Sequence, residues 1–570
     1  MATIVARKRG KTKCYYFHET FRVKLSPTDQ RAGDKRRGSG PSRVVTKEVY
    51  LGTAEHILQT VRDRGGKPLR ISPRQFGLVM AAYTVVEELG IAQAVDALVP
   101  RTGRGLTVGT YVALMVVAKV CARRFSWRSF GKWLTTTTLA RHLGLPASLL
   151  DAQNFWDAFE RILPERVARH VEDEQIIWQD KTVLRIEEMV WERLLASYPV
   201  DLETVLMDAT NFFTYLDGRT RARLARTAHG KAGRSEKRHV ALSLAATRDR
   251  GLPLLHLTYA GNVHDVRTMP YVLTRLAQRL KHLHPNAGRL TLVFDRGYNS
   301  KDNLTAISKE GLFVVGALVI SQHKDLLRLP VRTAPLVEGL HVIRTEKIVY
   351  GQKVTVLVTH SEKLERKQHF TFTAAVHKLS NKLEETFVSH HKNDEESLAK
   401  KMEQERRKSR VGRFLTWRAD EDGHLHISAD EPLIAEHASR FGLRMLYTTR
   451  TDYSSADIIR LYNHDKPMIE QDFREIKSPD LVRFAPIRHF TDTKIRLYAM
   501  VAVFALLVLK VMMIRVQDLG LSMEAMVDEL TGIEEAILVY GADHAVHTIT
   551  ECSPLQEKLV AAFGLQRYIP

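Results

Sequence analysis

Two apolar runs in this chain end in an aspartate. Residues 203–214 read ETVLMDATNFFT and residues 290–300 read LTLVFDRGYNS, so Asp208 and Asp295 stand where β-like runs stop. A third carboxylate, Glu470, stands in PMIEQDFREIKSPDLVRF, helix-like residues that follow a further apolar run. Singly, each has an ordinary structural explanation: a turn aspartate, a strand-ending aspartate and a helix-surface glutamate. As an ordered set they have another. Hard oxygen ligands of this kind suit two Mg²⁺ ions roughly 3.5–4 Å apart, one activating an attacking oxygen and one stabilising a leaving oxygen in phosphoryl transfer.

The elements that must position them follow from periodicity. From about residue 203 the apolar period is two, and VLMDATNFFT, HVALSLAATRD and PLLHLTYAG are three strand candidates in succession. An amphipathic helix (VRTMPYVLTRLAQRLKHLH), a strand (RLTLVFD), a helix (SKDNLTAISKEG) and a strand (LFVVGALVI) come next. Three strands followed by alternating helix and strand is the order of an RNase H-like α/β core. The expected organisation is a basic N-terminal region (1–72), an all-helical DNA-binding domain (73–200), the first part of the core (201–320), a mostly β insertion domain with a charged helix (321–442), the second part of the core (443–485) and a helical C-terminal region that could serve dimerisation (486–570). In the insertion, HVIRTEKIV, QKVTVLVTH and QHFTFTAAVH read as hairpin strands, and NKLEETFVSHHKNDEESLAKKMEQERRKSR reads as a charged helix without an apolar face. In the helical domain, Asp151 reads as an N-cap, and RRFSWRSFGKW (123–133) interleaves arginine with Trp127 and Trp133.

Charge narrows the partner. The chain has 570 residues, with 85 Lys+Arg against 65 Asp+Glu, a net charge of +20. Such an excess fits a polyanion such as DNA or RNA, because neutralising phosphates releases counterions, although ribosomal and membrane-surface proteins can be equally basic. Residues 1–50 carry 13 Lys/Arg, Arg7, Lys8, Arg9, Lys35, Arg36 and Arg37 among them, against Glu19, Asp29, Asp34 and Glu48; GDKRRGSGPSR (33–43) reads as a tether facing DNA or as a solvated tail. Cys14, Cys121 and Cys552 are far apart, which argues against a disulfide framework or structural zinc and fits a reducing cytosol. MATIVARKRGKTK has no apolar leader core. YAMVAVFALLVLKVMMIRV (498–516) is interrupted by Lys510 and reads as a buried core helix rather than a membrane span.

DAT at 208–210 trailed by HGKAGRSEKRHVALSLA, then GLPLLHLTYAGNVHD (251–265), DRGYNS (295–300) and finally a tyrosine before IEQDFREIKS resemble the DDE transposases of bacterial insertion sequences. The resemblance is to the IS4-like group and most closely its IS1634 family. It covers most of the chain and rests on the order of the pieces, none of which is specific alone. It implies that Asp208, Asp295 and Glu470 are the catalytic, metal-binding triad for two Mg²⁺, with Mn²⁺ as a substitute. The third motif of the family runs Tyr, Arg, Glu, Lys. Here Glu470 and Lys477 keep its seven-residue spacing, two helical turns apart on one face, and Arg474 shares that face. Tyr462, however, lies eight rather than seven residues before Glu470, and Lys466 stands where the family has arginine. Pro467 favours a helix that starts there, with Lys466 outside it as a cap.

Lys477, Arg474, Lys466, Tyr462, Arg296, Tyr298, Lys237 and Arg238, with Lys231, are the candidate DNA contacts. Trp417, the one tryptophan of the insertion, is either a base-stacking residue of the kind relatives carry or a packing residue. His229, His239 and His264 lie near the core, but three carboxylates make a histidine ligand unnecessary. The implied activity is cleavage of transposon ends and joining of 3′-hydroxyls to target DNA, by a cytoplasmic, nucleoid-associated protein that acts on double-stranded DNA as a homodimer. An RNase H-like nuclease that cuts without joining, and a non-catalytic DNA-binding remnant, are the alternatives.

Overall fold

The computed structural model describes residues 2–10, 12–24, 42–65, 70–100, 105–121, 129–163, 181–227, 237–284, 290–390, 395–420, 422, 424–484, 487–540 and 544–569. The tether at 33–41, Trp127, His229 and Lys231 lie outside them.

The basic N-terminal region is folded where it is described. Strands β1 (Ala2–Arg9), β2 (Thr12–Lys24) and β3 (Ser42–Thr53) form an antiparallel sheet, followed by helix α1 (Ala54–Gly65). Strand β4 (Arg70–Gln75) leads into α2 (Gly77–Glu88), and α3 (Val108–Cys121) follows. Both helices are apolar on nearly every side, and such a helix must be enclosed. Residues Gly77–Val86 are all buried, as are Tyr111–Val120. Asp151 caps α4 (Ala152–Ile162) by accepting from the Gln153 amide at 2.8 Å, as its type and position predict. Helix α5 (Lys181–Ser197) completes this part. These helices share one continuous apolar core with the central sheet.

That sheet holds β5 (Thr204–Phe213), β6 (Arg238–Thr247), β7 (Pro253–Ala260), β8 (Thr291–Phe294) and β9 (Phe313–Ala317), with α6 (Asp265–Leu283) and α7 (Lys301–Lys309) between the later strands. Strand β7 pairs β6 and β6 pairs β5, both antiparallel, while β5, β8 and β9 run parallel to one another. The predicted order of three strands followed by alternating helix and strand is present.

The insertion departs from expectation. Strands β10 (Leu340–Val349) and β11 (Gln352–His360) do form the predicted hairpin, but β11 pairs with β14 (Leu443–Thr448), which pairs with β9, so the hairpin extends the central sheet to ten strands. QHFTFTAAVH is not a strand; it lies within the 29-residue helix α8 (Glu362–His390). Its alternating aromatic and β-branched residues mimic period two, but Phe372, Val376, Leu379, Leu383 and Phe387 make a helical stripe, and packing of that stripe decides. Helix α9 (Glu395–Lys408) adds Leu398 and Met402, and the hairpin β12 (Leu415–Ala419) and β13 (Leu425–Ala429) closes a second core. The charged segment therefore has an apolar face, and the insertion proper is more helical than β.

After β14 come α10 (Ser455–Arg460), α11 (Pro467–Lys477) and α12 (Asp492–Arg515). Helix α12 contains the membrane-length run, yet 89% of its most apolar window is buried inside the protein, where it packs on α2, α3, α4 and β7. Lys510, its interior cation, reaches Asp472 at 2.8 Å and Glu475 at 2.7 Å on α11. Burial pushes the Asp472 carboxyl up to about 7 even with Lys510 pulling it down. The C-terminal region is not all helical. Strands β15 (Glu534–Tyr540) and β16 (His544–Ile549) form a hairpin, and β15 pairs with β4, so segments far apart in sequence meet in one small sheet.

Candidate active site

The parallel register brings the two aspartates together. Met207 of β5 pairs with Phe294 of β8, so Asp208 and Asp295 are the next residues along. Asp295 stands just past the end of β8 as expected, but β5 continues through Asp208 to Phe213, so Asp208 lies within its strand and not where the run stops. Neighbouring strands lie about 4.8 Å apart. Asp295 opens a 3₁₀ turn, Arg296–Tyr298, but its side chain makes no cap hydrogen bond. Its carboxylate is not spent on starting the turn.

Helix α11 supplies the third carboxylate. Glu470 lies in its first turn, and its side chain is 55% exposed beside the 50% of Asp295. Between them stands Lys466, whose Nζ is 3.5 Å from Asp295 Oδ1 and 3.5 Å from Glu470 Oε1. The two carboxylate oxygens are therefore within about 7 Å of each other. Helix α11 starts at Pro467 with Lys466 as its N-cap residue, as expected, although the Lys466 backbone is itself helical (φ −54°, ψ −39°); its side chain is buried at the site and not extended toward solvent.

The helical run that carries the motif explains its irregular spacing. Leu461–Asp465 forms a π turn between α10 and α11, in which the Lys466 amide donates to the Leu461 carbonyl five residues back at 3.0 Å. A π turn holds one more residue than an α turn. Eight residues with one π turn thus sweep about the same rotation as seven in a regular helix. Tyr462 accordingly faces the site, and its hydroxyl donates to Asp295 Oδ1 at 2.8 Å. Burial and the Asp295 carboxylate both push the Tyr462 hydroxyl well above the ordinary tyrosine range, so it stays a donor.

On the far side of the helix face, Lys477 Nζ donates to Thr210 Oγ1 at 2.6 Å and lies 5.3 Å from the centre of the Phe212 ring. Thr210 is two residues beyond Asp208 and so shares its face of β5. Lys477 thereby ties α11 to the Asp208 strand although the residue is exposed; Arg474, one turn after Glu470, is exposed too.

Of the other candidates, Arg296 stays at the solvent-facing site and most of the rest fall away from it. Tyr298 is 1% exposed, with its hydroxyl 3.4 Å from Ser243 Oγ, and Ser243 lies 3.5 Å from the Asp208 carbonyl; it supports the site from beneath and is not placed to touch DNA. Arg238 donates to the Ala225 carbonyl at 3.0 Å, a structural engagement. Lys237 lies 5.9 Å over the Tyr215 ring, and Arg296 is exposed beside Asp295. His239 is buried on β6, and His264 precedes α6 without a side-chain cap bond. Trp417 is half-buried opposite Ile427 on the second core, a packing position.

Sequence reasoning missed Asn299, whose amide donates to the Ala317 carbonyl at 2.8 Å and accepts from the Tyr447 hydroxyl at 2.8 Å, pinning the loop after Asp295 to β9 and β14. It also missed Ser243; the one signal was a hydroxyl inside the otherwise apolar run HVALSLAAT.

The donor set fits Mg²⁺: oxygen ligands only, half exposed, and already close enough for one ammonium to approach two of them. A separate acidic group, Glu188, Glu192 and His282, gathers its ligand atoms within 4.8 Å among the described residues. There Arg185 already pairs with both glutamates, at 2.5 and 3.0 Å, so a cation is in place.

Fold and site together define a mixed α/β protein with two aspartates placed where the parallel pairing of β5 with β8 ends and a glutamate near one of them. Residues 200–508 match the family described as "Transposase DDE domain", and the chain belongs to that family. No curated protein matches it. Among solved structures, the cryo-EM structure of the piggyBac transposase synaptic complex with hairpin DNA is similar at a TM-score of 0.41 and 10% identity, covering 81% of this chain and 82% of that one. That likeness is too distant to carry residue roles across.

Proposed function

We propose that this chain is a DNA transposase of the IS4-like group, most similar to the IS1634 family, that cleaves the ends of its own insertion sequence and joins the freed 3′-hydroxyls to target DNA. The observation that carries the reading is the placement of Asp208, within β5, beside Asp295, just past the end of the neighbouring parallel strand β8, with Glu470 across the Lys466 ammonium from Asp295. Asp208, Asp295 and Glu470 would hold two Mg²⁺ ions, or Mn²⁺ in their place, which when bound supply activation of the attacking oxygen and stabilisation of the leaving one.

The chain's own residues prepare that site. Tyr462 holds one oxygen of Asp295 by its hydrogen bond and leaves the other for a metal. Lys466 offsets the repulsion between Asp295 and Glu470. Arg474 and Lys477 follow Glu470 at one and two turns and suit phosphates flanking the scissile bond. Paired ends call for at least a homodimer on DNA, acting at the nucleoid in the cytoplasm.

The test incubates the purified protein and Mg²⁺ with duplexes carrying the sequences that flank its own gene. Cleaved ends together with joined products support transposition. Cleavage without joining would make it a nuclease, and binding without cleavage would leave only a DNA-binding remnant.

A further inference from the structure

The N-terminal sheet stands apart from the rest of the fold. Among the described residues β1, β2 and β3 pair only with one another, and α1 is the one element packed closely on them. Its two faces differ. Side chains alternate across a strand, and the register places Val5, Tyr16 and Tyr50, and His18 and Glu48, on one face. That face carries ion pairs of its own: Arg7 and His18 both reach Glu48 at 2.9 Å, the rings of Tyr16 and Tyr50 lie 5.2 Å apart, and Cys14 is buried, while Val44 and Tyr50 are exposed on it.

The opposite face carries three lysines, Lys8, Lys13 and Lys47, against one glutamate, Glu19. Ile4, Phe17 and Val49 form one row across the three strands, and Phe21 pairs with Val45 in another. Ile4 is 64% exposed, Phe21 43% and Val49 42%. On the same face Lys8 lies directly opposite Lys13, with both exposed, and Lys47 is exposed opposite Glu19. Like charges directly opposite in a sheet destabilise it unless something neutralises them. A face that sets cations beside open apolar side chains is matched by phosphates beside base edges and thymine methyls. The excess of 13 Lys/Arg over four acidic residues in residues 1–50 gives the partner's sign.

We infer that this face of the β1–β3 sheet is a docking surface for duplex DNA, with Lys8, Lys13 and Lys47 on phosphates and Ile4, Phe21 and Val49 against a groove. The inference rests on the transposase reading and assigns the recognition of DNA to this sheet instead of the buried helices α2 and α3.

The test uses the full chain in chelator, where only binding is read. A Lys8→Ala/Lys13→Ala/Lys47→Ala variant and an Ile4→Ser/Val49→Ser variant are titrated onto a terminal-sequence duplex and a scrambled duplex at three salt concentrations. The lysine variant should lower the log–log salt slope by about 2–3 units. The apolar variant should keep the slope and lose the preference for the terminal duplex. Both should melt with the wild type, since every substituted side chain is solvent-facing. A lysine variant with an unchanged slope overturns the docking surface and leaves the transposase reading standing. So does a variant whose loss is of self-association instead of DNA binding, which sedimentation separates. A wild-type chain that binds neither duplex overturns both.

Discussion

Replacing Lys510 by methionine should loosen the helix that carries Glu470. Lys510 is 10% exposed and faces Asp472, fully buried, and Glu475, 7% exposed, at 2.8 and 2.7 Å. Methionine fills the stem of the lysine but leaves two buried carboxylates without a counter-charge. Removing one partner of a buried ion pair costs about 3–5 kcal/mol. The loss depends on pH, and its sign follows from the raised Asp472 carboxyl, about 7 even in the presence of Lys510. A carboxyl raised above its unfolded value gives stability at low pH and loses it as pH rises through the folded value. Without Lys510 that value rises further, so the variant should be most damaged near pH 8 and approach the wild type toward pH 5. In urea, at roughly 3 kcal/mol/M, the midpoint at pH 8 should fall by about 1 M or more. A double variant that also carries Asp472→Asn should recover part of the loss. Equal midpoints for Lys510→Met and wild type at pH 8 would refute the assignment of Lys510 as the clamp between α12 and α11.

Lys477→Ala should reduce strand cleavage, lower the salt slope of DNA binding by about one unit, and leave the Mg²⁺ requirement unmoved, as seen in binding titrations and metal-dependence curves. It also removes the tie to Thr210, so a small drop in melting temperature is expected; a drop in melting with an unchanged salt slope would make it purely structural. Deleting the exposed His464 should turn the π turn into an α turn, keep Tyr462 on Asp295, and retain cleavage within roughly threefold. Inserting one alanine after Lys466 should rotate Glu470 by about 100° and abolish cleavage with folding preserved by circular dichroism.

The sheet order was legible because period two gives way to alternating helices and strands where the chain does so. Asp295 closes a core strand and Glu470 follows one, as read, but Asp208 lies within β5, because the apolar run resumes in Phe212 and Phe213 and the strand continues through the aspartate. The charge of the N-terminal region was visible, but its strands were not: the basic residues masked the alternation of Ile4, Phe17 and Val49 with polar positions. QHFTFTAAVH misled because local alternation and a helical stripe coexist in it, and only Leu379, Leu383 and Phe387 farther along settle the phase. Lys466 and Tyr298 exchanged places in kind. The lysine turned inward to the carboxylates, and the tyrosine after Asp295 turned beneath the sheet onto Ser243, because a 3₁₀ turn and a π turn each redirect a side chain by a fraction of a turn that residue spacing alone does not reveal. The strand β15 that reaches back to β4 pairs residues more than 450 positions apart, a distance over which local pattern carries no information.

The central claim is that Glu470 acts with Asp208 and Asp295 in the chemistry and not in the fold. Its most direct test compares wild type and Glu470→Gln on a terminal-sequence duplex with Mg²⁺, reading binding and strand cleavage in the same samples. Because Glu470 is 55% exposed and its neutral isostere leaves the basic surfaces unchanged, binding should stay within about twofold while cleaved and joined products disappear. Cleavage that survives the substitution, or binding that is lost together with cleavage, would contradict it.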